Sequence, residues 1–224
     1  MNTDFSLSTL RARRAAILEE ARLYAILDTG YVPPTRLLEM GKALVEGGVR
    51  VFQLRAKGLD RETIRSTAGL LLSALRPRGA ILLLNDHPAL AAEIDADGAH
   101  VGQDDESVAE ARSLLGPDAI LGKSTHSISQ AREAQDEDID YTGFGPLFAT
   151  PTKPDYIPVG FNDIQEAHEL ARVPVFCIGG IKRHNLPMVL KAGAKRVVIV
   201  SGLLQTADPR AEAEACLKIL RGET

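Results

Sequence analysis

The feature that most constrains this fold is an eightfold recurrence of short β-branched or aliphatic runs, each followed by a stretch with helical spacing. The runs are Leu23 to Leu27, Val49 to Leu54, Ile81 to Leu84, Gly98 to Val101, Ile120 to Gly122, Tyr141 to Phe144, Val175 to Ile178 and Val197 to Val200. Near-continuous apolar runs of this length are the signature of strands buried on both faces, which belong to parallel sheets covered by helices. The stretches between them carry helix start signals. Asp60 precedes Ile64, Ala68 and Leu71; the capping-box pair Ser107 and Glu110 precedes Leu114; Ser127 with Gln130 repeats that pair. They also carry stop signals, because Gly47, Gly116 and Gly193 stand where a helix end calls for a left-handed residue.

Eight strand–helix units in 224 residues, with no linker, low-complexity segment or charge block between them, favour a single closed (β/α)8 TIM barrel. An open doubly wound sheet would call for G-x-G-x-x-G after the first strand, where "LDTGYVPP" stands instead. The expected organisation is an N-terminal helical extension over residues 1–22 and a barrel domain over 23–224. Leu10, Ile17 and Leu18 would form one side of the extension, laid against the barrel bottom or a partner. A net charge of −4 supplies no global basic field for nucleic acid or anionic membrane, so any phosphate site must be local. No apolar stretch reaches the roughly 18 residues of a membrane span. Cys177 and Cys216 read as reduced thiols, and a cytoplasmic location is expected.

In a barrel of this kind the reactive groups sit at the carboxyl ends of the strands and on the loops that follow. Along the second strand Val49, Val51, Gln53, Arg55 and Lys57 share one face by alternation, apolar below and polar above. Two cations and an amide at the top of that face suit a polyanion; a strand end emerging into solvent is the plainer reading. Asp86 closes the third strand and Asp105 follows the fourth, which makes them neighbours around the rim. Hard oxygen ligands without cysteine suit Mg²⁺ beside a diphosphate, although either carboxylate could instead cap the next helix.

The sixth strand runs into a long, proline-stiffened loop in which Thr150, Thr152 and Lys153 offer hydroxyls and a cation. Gly179, Gly180, Ser201 and Gly202, after strands seven and eight, match the usual barrel position of a monophosphate site, or serve merely as tight turns. "GKSTHS" ends the fifth strand, where Ser124 can donate to a substrate and His126 can act as acid or base, or orient a loop. His100, inside the fourth strand, reads as a hydrogen-bonded core residue.

The segments "QLRAK", "NDHPALA", "GAHVGQDD", "GKSTH", "GFGPLFATPTKP", "CIGGI" and "VVIVSG", in this order from about Tyr24 to Leu204, resemble the thiamine phosphate synthase family. The resemblance implies a transferase that joins 4-amino-2-methyl-5-(diphosphooxymethyl)pyrimidine to a thiazole phosphate. It releases pyrophosphate and proceeds through a pyrimidine methyl cation. It implies that Gln53, Arg55, Lys57, Asn85 and Lys153 bind the pyrimidine diphosphate, with Ser124 near the pyrimidine and Mg²⁺ on Asp86 and Asp105. Thr150, Thr152, Gly180, Val200 and Ser201 would contact the thiazole phosphate. Leu54, Ala56 and Pro151, which flank these side chains, join the substrate-binding set, and Arg55, Lys57, Lys153 and Ser124 form the catalytic one. A homodimer is expected on the same ground. Ala56 departs from the family pattern, where a glutamate is frequent.

Three other readings compete. A thiazole tautomerase on the same barrel has no use for a metal-bound diphosphate, which the pair Asp86 and Asp105 and the complete "TPTK" loop disfavour. A non-catalytic binder of thiamine precursors would need fewer charged groups. A phosphosugar epimerase would show a facing acid–base pair instead.

Overall fold

The computed structural model describes residues 4–149 and 157–223, with backbone alone for residues 4–9. Its strands are β1 (Leu23–Asp28), β2 (Val51–Arg55), β3 (Ile81–Asn85), β4 (Gly98–Val101), β5 (Ile120–Thr125), β6 (Tyr141–Phe144), β7 (Val175–Cys177) and β8 (Val197–Ile199). They pair in parallel and in chain order, and β8 returns to β1 through the register Leu23↔Val197 to close a barrel. The helices are α1 (Asp4–Glu20), α2 (Pro34–Glu46), α3 (Arg61–Leu75), α4 (Pro88–Glu93), α5 (Val108–Leu115), α6 (Ile128–Glu133), α7 (Ile164–Leu170), α8 (Leu186–Lys191), α9 (Ser201–Leu204) and α10 (Pro209–Arg221). None among the described residues is long and apolar enough to cross a membrane.

Strand alternation divides the apolar residues into two layers. Inside the barrel, Tyr24, Ile26, Val51, Leu83, Ile120, Tyr141, Phe176 and Val198 pack together. Three of their rings meet edge to face: Tyr24 and Phe176 at 5.5 Å, Tyr141 and Phe176 at 5.7 Å, and Tyr24 and Tyr141 at 5.8 Å between centroids. This is the arrangement that aromatic quadrupoles favour. Gly122 makes room for it, since a Cβ there would lie 2.1 Å from Cζ of Tyr141. The opposite faces of the strands pack under the helices in a larger layer that includes Leu27, Leu54, Leu84, Cys177 and Ile199. Val49 belongs to this outer layer and precedes β2, so the inward face of that strand begins at Val51 and not at Val49.

Helix α1 lies across the barrel bottom. Its Leu18 joins the interior cluster, and its buried Arg14 donates to Asp97 at 3.0 Å, a carboxylate that also accepts from the Leu82 amide. A buried arginine is tolerable there because it is paired.

The capping expectations hold in part. Asp60 accepts from the Thr63 amide, and Ser107 with Glu110 forms a complete capping box. At α6 only half a box forms: Ser127 accepts from the Gln130 amide, but the Gln130 side chain accepts from the His126 amide instead. Gly116 and Gly193 have positive φ, 76° and 103°. Gly47 does not (φ −73°); the positive angle falls on Gly48, at 98°. What requires glycine at 47 is close approach, because a Cβ there would sit 2.6 Å from the Arg210 carbonyl oxygen of α10.

Candidate active site

A cavity of about 300 Å³ opens at the carboxyl ends of the strands. It is lined by Asp28, Gln53, Arg55, Asn85, His100 and Ser124 from β1 to β5, by His126 and Gly145 beyond them, and by Gly179, Gly180, Lys182, Val200 and Ser201 from the last two loops. Nine candidate site residues singled out from the sequence therefore line one cavity: Gln53, Arg55, Asn85, Ser124, His126, Gly179, Gly180, Val200 and Ser201.

The carboxylate pair stands beside this cavity, one residue on from Asn85. Asp86 adopts φ 61°, a left-handed angle uncommon for a residue with a side chain, so the backbone is held there by its surroundings. Its Oδ2 lies 3.2 Å from Nζ of Lys57. Burial raises its pKa above the ordinary carboxylate value, and hydrogen-bond and charge contact with Asp105 raises it further, against a smaller lowering by Lys57. Asp105 in turn accepts from the Gly102 amide at 2.7 Å.

Neither carboxylate caps a helix: the side chain before α4 makes no capping bond, and α5 is capped by Ser107. They are the groups that could hold a divalent ion, and among the described residues no third His, Cys, Asp or Glu joins them.

Thr150, Pro151, Thr152 and Lys153 lie outside the described residues. Leu54 and Ala56 are buried in the outer layer, so anything they offer a ligand comes from their backbone. His126 sits at the cavity wall and donates from Nδ1 to the Gly145 carbonyl, which ties it to the loop after β6. Gly179 and Gly180 take φ 101° and 67°. A Cβ on Gly179 would meet Cα of Pro146 at 2.4 Å, and the Gly179 carbonyl accepts from the Phe148 amide. The glycine pair thus seats the β6 loop as well as the rim.

Three comparisons set this geometry among known proteins. The family model described as thiamine monophosphate synthase matches residues 23–203, from the first strand through the last. The chain belongs to that family. A thiamine-phosphate synthase of Shouchella clausii is 39% identical over 197 residues, 88% of this chain and 94% of that protein. One of a Synechococcus species is 41% identical over 211 residues, 93% of this chain but only 60% of the relative's length. The chain thus spans less than two thirds of that longer relative. Among solved structures, a thiamine phosphate pyrophosphorylase of Pyrococcus furiosus superposes with a TM-score of 0.83 at 28% identity, covering 94% of this chain and 98% of that one.

Within this family site, four side chains escaped the sequence reading. Asp28, 1% exposed at the end of β1, accepts from Arg55 Nη1 at 2.9 Å and from the Gly30 amide at 2.8 Å. It fixes the guanidinium that β2 presents. The signal was available, since Asp28 and Arg55 are register partners on adjacent strands and both occupy the strand-end position. Lys182 adds a cation after β7 that no spacing marked. Tyr24 and Tyr141 lie fully buried in the barrel and look like core aromatics. Their hydroxyls nevertheless link site residues, because Gln53 Nε2 donates to Tyr24 at 2.8 Å, and Tyr24 and Tyr141 bond at 2.9 Å. Tyr141 then meets His100 Nδ1 at 2.9 Å, and His100 Nε2 meets Ser124 Oγ at 2.9 Å.

Proposed function

We propose that this chain is a thiamine phosphate synthase, a transferase that couples the aminopyrimidine methyl diphosphate to a thiazole phosphate with release of pyrophosphate. The observation that carries this reading is the single cavity at which Gln53, Arg55, Asn85 and Ser124 meet the loops after β7 and β8.

The chemistry asks little covalent work of the protein. The bond between the methylene carbon and the diphosphate oxygen breaks with its electron pair leaving on the diphosphate. The thiazole nitrogen then supplies the pair that forms the new carbon–nitrogen bond. No proton moves, so no general base is needed. What the site must do is stabilise negative charge where it develops and hold the acceptor in line. Arg55, fixed by Asp28, offers a pre-oriented fork to the diphosphate, and Lys57 a mobile ammonium. Lys153 is assigned the same role from the resemblance, with Thr150, Pro151 and Thr152 beside the thiazole phosphate. Gly180, Val200 and Ser201 supply the phosphate end of the acceptor site.

The donor set suits Mg²⁺, which takes one or two carboxylates and fills its remaining positions with water and phosphate oxygens. Asp86 and Asp105 are two such carboxylates in contact, and their mutual disfavour of charge is what a divalent ion would relieve. When bound, that ion supplies charge neutralisation for the departing diphosphate. A tautomerase would have no use for this pair. The two free cysteines fit a cytoplasmic location, and the family resemblance suggests a homodimer.

The test is direct. Purified protein is incubated with both substrates, with Mg²⁺ and separately with EDTA, and thiamine phosphate and pyrophosphate are quantified. Equimolar products that vanish with chelation and return with added Mg²⁺ are expected. Thiazole isomerisation without coupling would overturn the reading in favour of the tautomerase.

A further inference from the structure

We infer that the buried chain Gln53–Tyr24–Tyr141–His100–Ser124 is a positioning device that fixes the hydrogen-bonding polarity of the cavity wall, and so selects an aminopyrimidine over its oxo counterpart. The inference rests on the proposed function for the identity of the substrate, but its structural part stands alone.

Counting hydrogens sets the direction of the chain. Tyr24 and Tyr141 are about 1% and 0% exposed, so each hydroxyl hydrogen must find an acceptor inside the protein. Burial also holds both phenols above their ordinary pKa, and both therefore keep that hydrogen at working pH. Tyr24 receives an N–H from Gln53, and an amide nitrogen cannot accept one in return. The Tyr24 hydrogen therefore goes to the Tyr141 oxygen. With its oxygen accepting from Tyr24, Tyr141 has His100 Nδ1 as the acceptor for its own hydrogen. Nδ1 is then an acceptor, the ring hydrogen resides on Nε2, and Nε2 donates to Ser124 Oγ.

The two ends are thereby determined. Ser124 accepts from within and is left with its hydroxyl hydrogen to donate into the cavity. Gln53 spends its NH₂ on the two phenols, Tyr24 at 2.8 Å and Tyr141 beside it, and turns its carbonyl oxygen, an acceptor, toward the cavity it lines. One acceptor and one donor are the complement of an amino group and its adjacent ring nitrogen. An oxo-pyrimidine presents a carbonyl and a ring N–H at those positions, which mismatches both contacts. Reversing the wall would require reversing all four bonds together, and buried partners make each partial reversal costly. The geometry thus gives the core phenols a reason to be tyrosine where phenylalanine would pack equally well.

Two measurements test this on the intact protein. First, ¹⁵N NMR of the histidine rings, with His100 assigned by through-bond correlation from its own Cβ, should show hydrogen on Nε2 and a bare Nδ1. Hydrogen on Nδ1 would mean the chain runs the other way and would overturn the inference. Second, calorimetric binding of the amino- and oxo-pyrimidine methyl diphosphates, without thiazole phosphate, should favour the amino compound by about 100-fold, as two mismatched polar contacts imply. Tyr141→Phe keeps the ring but cuts the chain, and should narrow that preference to about tenfold or less, with little change in thiazole phosphate affinity. Tyr24→Phe is expected to act alike and serves if the first variant folds poorly. An undiminished preference in a folded variant would overturn the proposal. If the wild-type protein bound neither diphosphate, the proposed function would fall, and the tautomer would still decide the chain's direction.

Discussion

Replacing Asp28 by asparagine should disarm Arg55 without altering the shape of the rim. The carboxylate is 1% exposed and accepts two hydrogen bonds, from Arg55 Nη1 at 2.9 Å and from the Gly30 amide at 2.8 Å. Asparagine keeps an oxygen for Gly30 but turns an NH₂ toward the guanidinium, so one charge-assisted bond is lost and two donors face each other. Such a bond is worth roughly 1.5–3 kcal/mol. The Arg55 side chain is only 16% exposed, so water can replace little of that bond. Taking about 2 kcal/mol for a chain of this length, the melting temperature should fall by about 4–8 °C. The kinetic effect should be larger, because the guanidinium would no longer be held in the orientation that the proposed function requires of it. A loss of about 10–100-fold in kcat/KM for the pyrimidine diphosphate is expected, with the KM for thiazole phosphate nearly unchanged. Thermal unfolding and steady-state coupling assays on one preparation give both numbers. A variant melting within 1 °C of wild type (about 0.5 kcal/mol or less) and coupling within about twofold (well under 1 kcal/mol) would refute the claim that Asp28 holds Arg55 in its working orientation.

Other expectations follow from neighbouring features. Asp86 has a raised pKa in the folded protein, so the folded state binds its proton more tightly than the unfolded chain does. Its contribution to stability is therefore complete at low pH and is lost as pH rises through the folded value. Asp86→Asn should accordingly raise the melting temperature of the metal-free protein near neutrality and have little effect in acid, while coupling activity collapses; a pH series of melting curves checks the sign. Gly47→Ala would force a methyl group against the Arg210 carbonyl and should cost about 1–3 kcal/mol in urea unfolding, with kcat intact because that contact is remote from the rim. Gly122→Ala would drive a Cβ into the Tyr141 ring and should impair stability and pyrimidine binding together, as denaturation and calorimetry would show.

The parts of this molecule that could be read in advance were those set by periodicity. Apolar runs located all eight strands, alternation located Gln53 and Arg55, and the rule that barrels act at strand ends located Ser124, whereas the role of Asn85 came from the family resemblance. The strand ends were less legible: β5 continues through Lys123, Ser124 and Thr125, polar residues that no apolar count would include. Long-range pairings were the harder part. Asp28 carries no local signal of its own, and its meaning appears only when β1 and β2 lie in register. Tyr24 and Tyr141, separated by 117 positions, read as hydrophobic ballast until closure brings their hydroxyls together. Gly47 was assigned to a helix cap, yet its constraint comes from α10 at the far end of the chain.

The seam where Leu23 meets Val197 carries a consequence for biogenesis. Every strand contributes to a rim that is only complete as a ring, so a growing polypeptide owns no partial catalyst at any stage. Seven-eighths of the staves would still leave Asp28 on an unmated margin and Ser201 outside the sheet altogether. Competence should thus switch on abruptly with the last stave, and a substitution that prises this seam open should silence the whole circle rather than dim it.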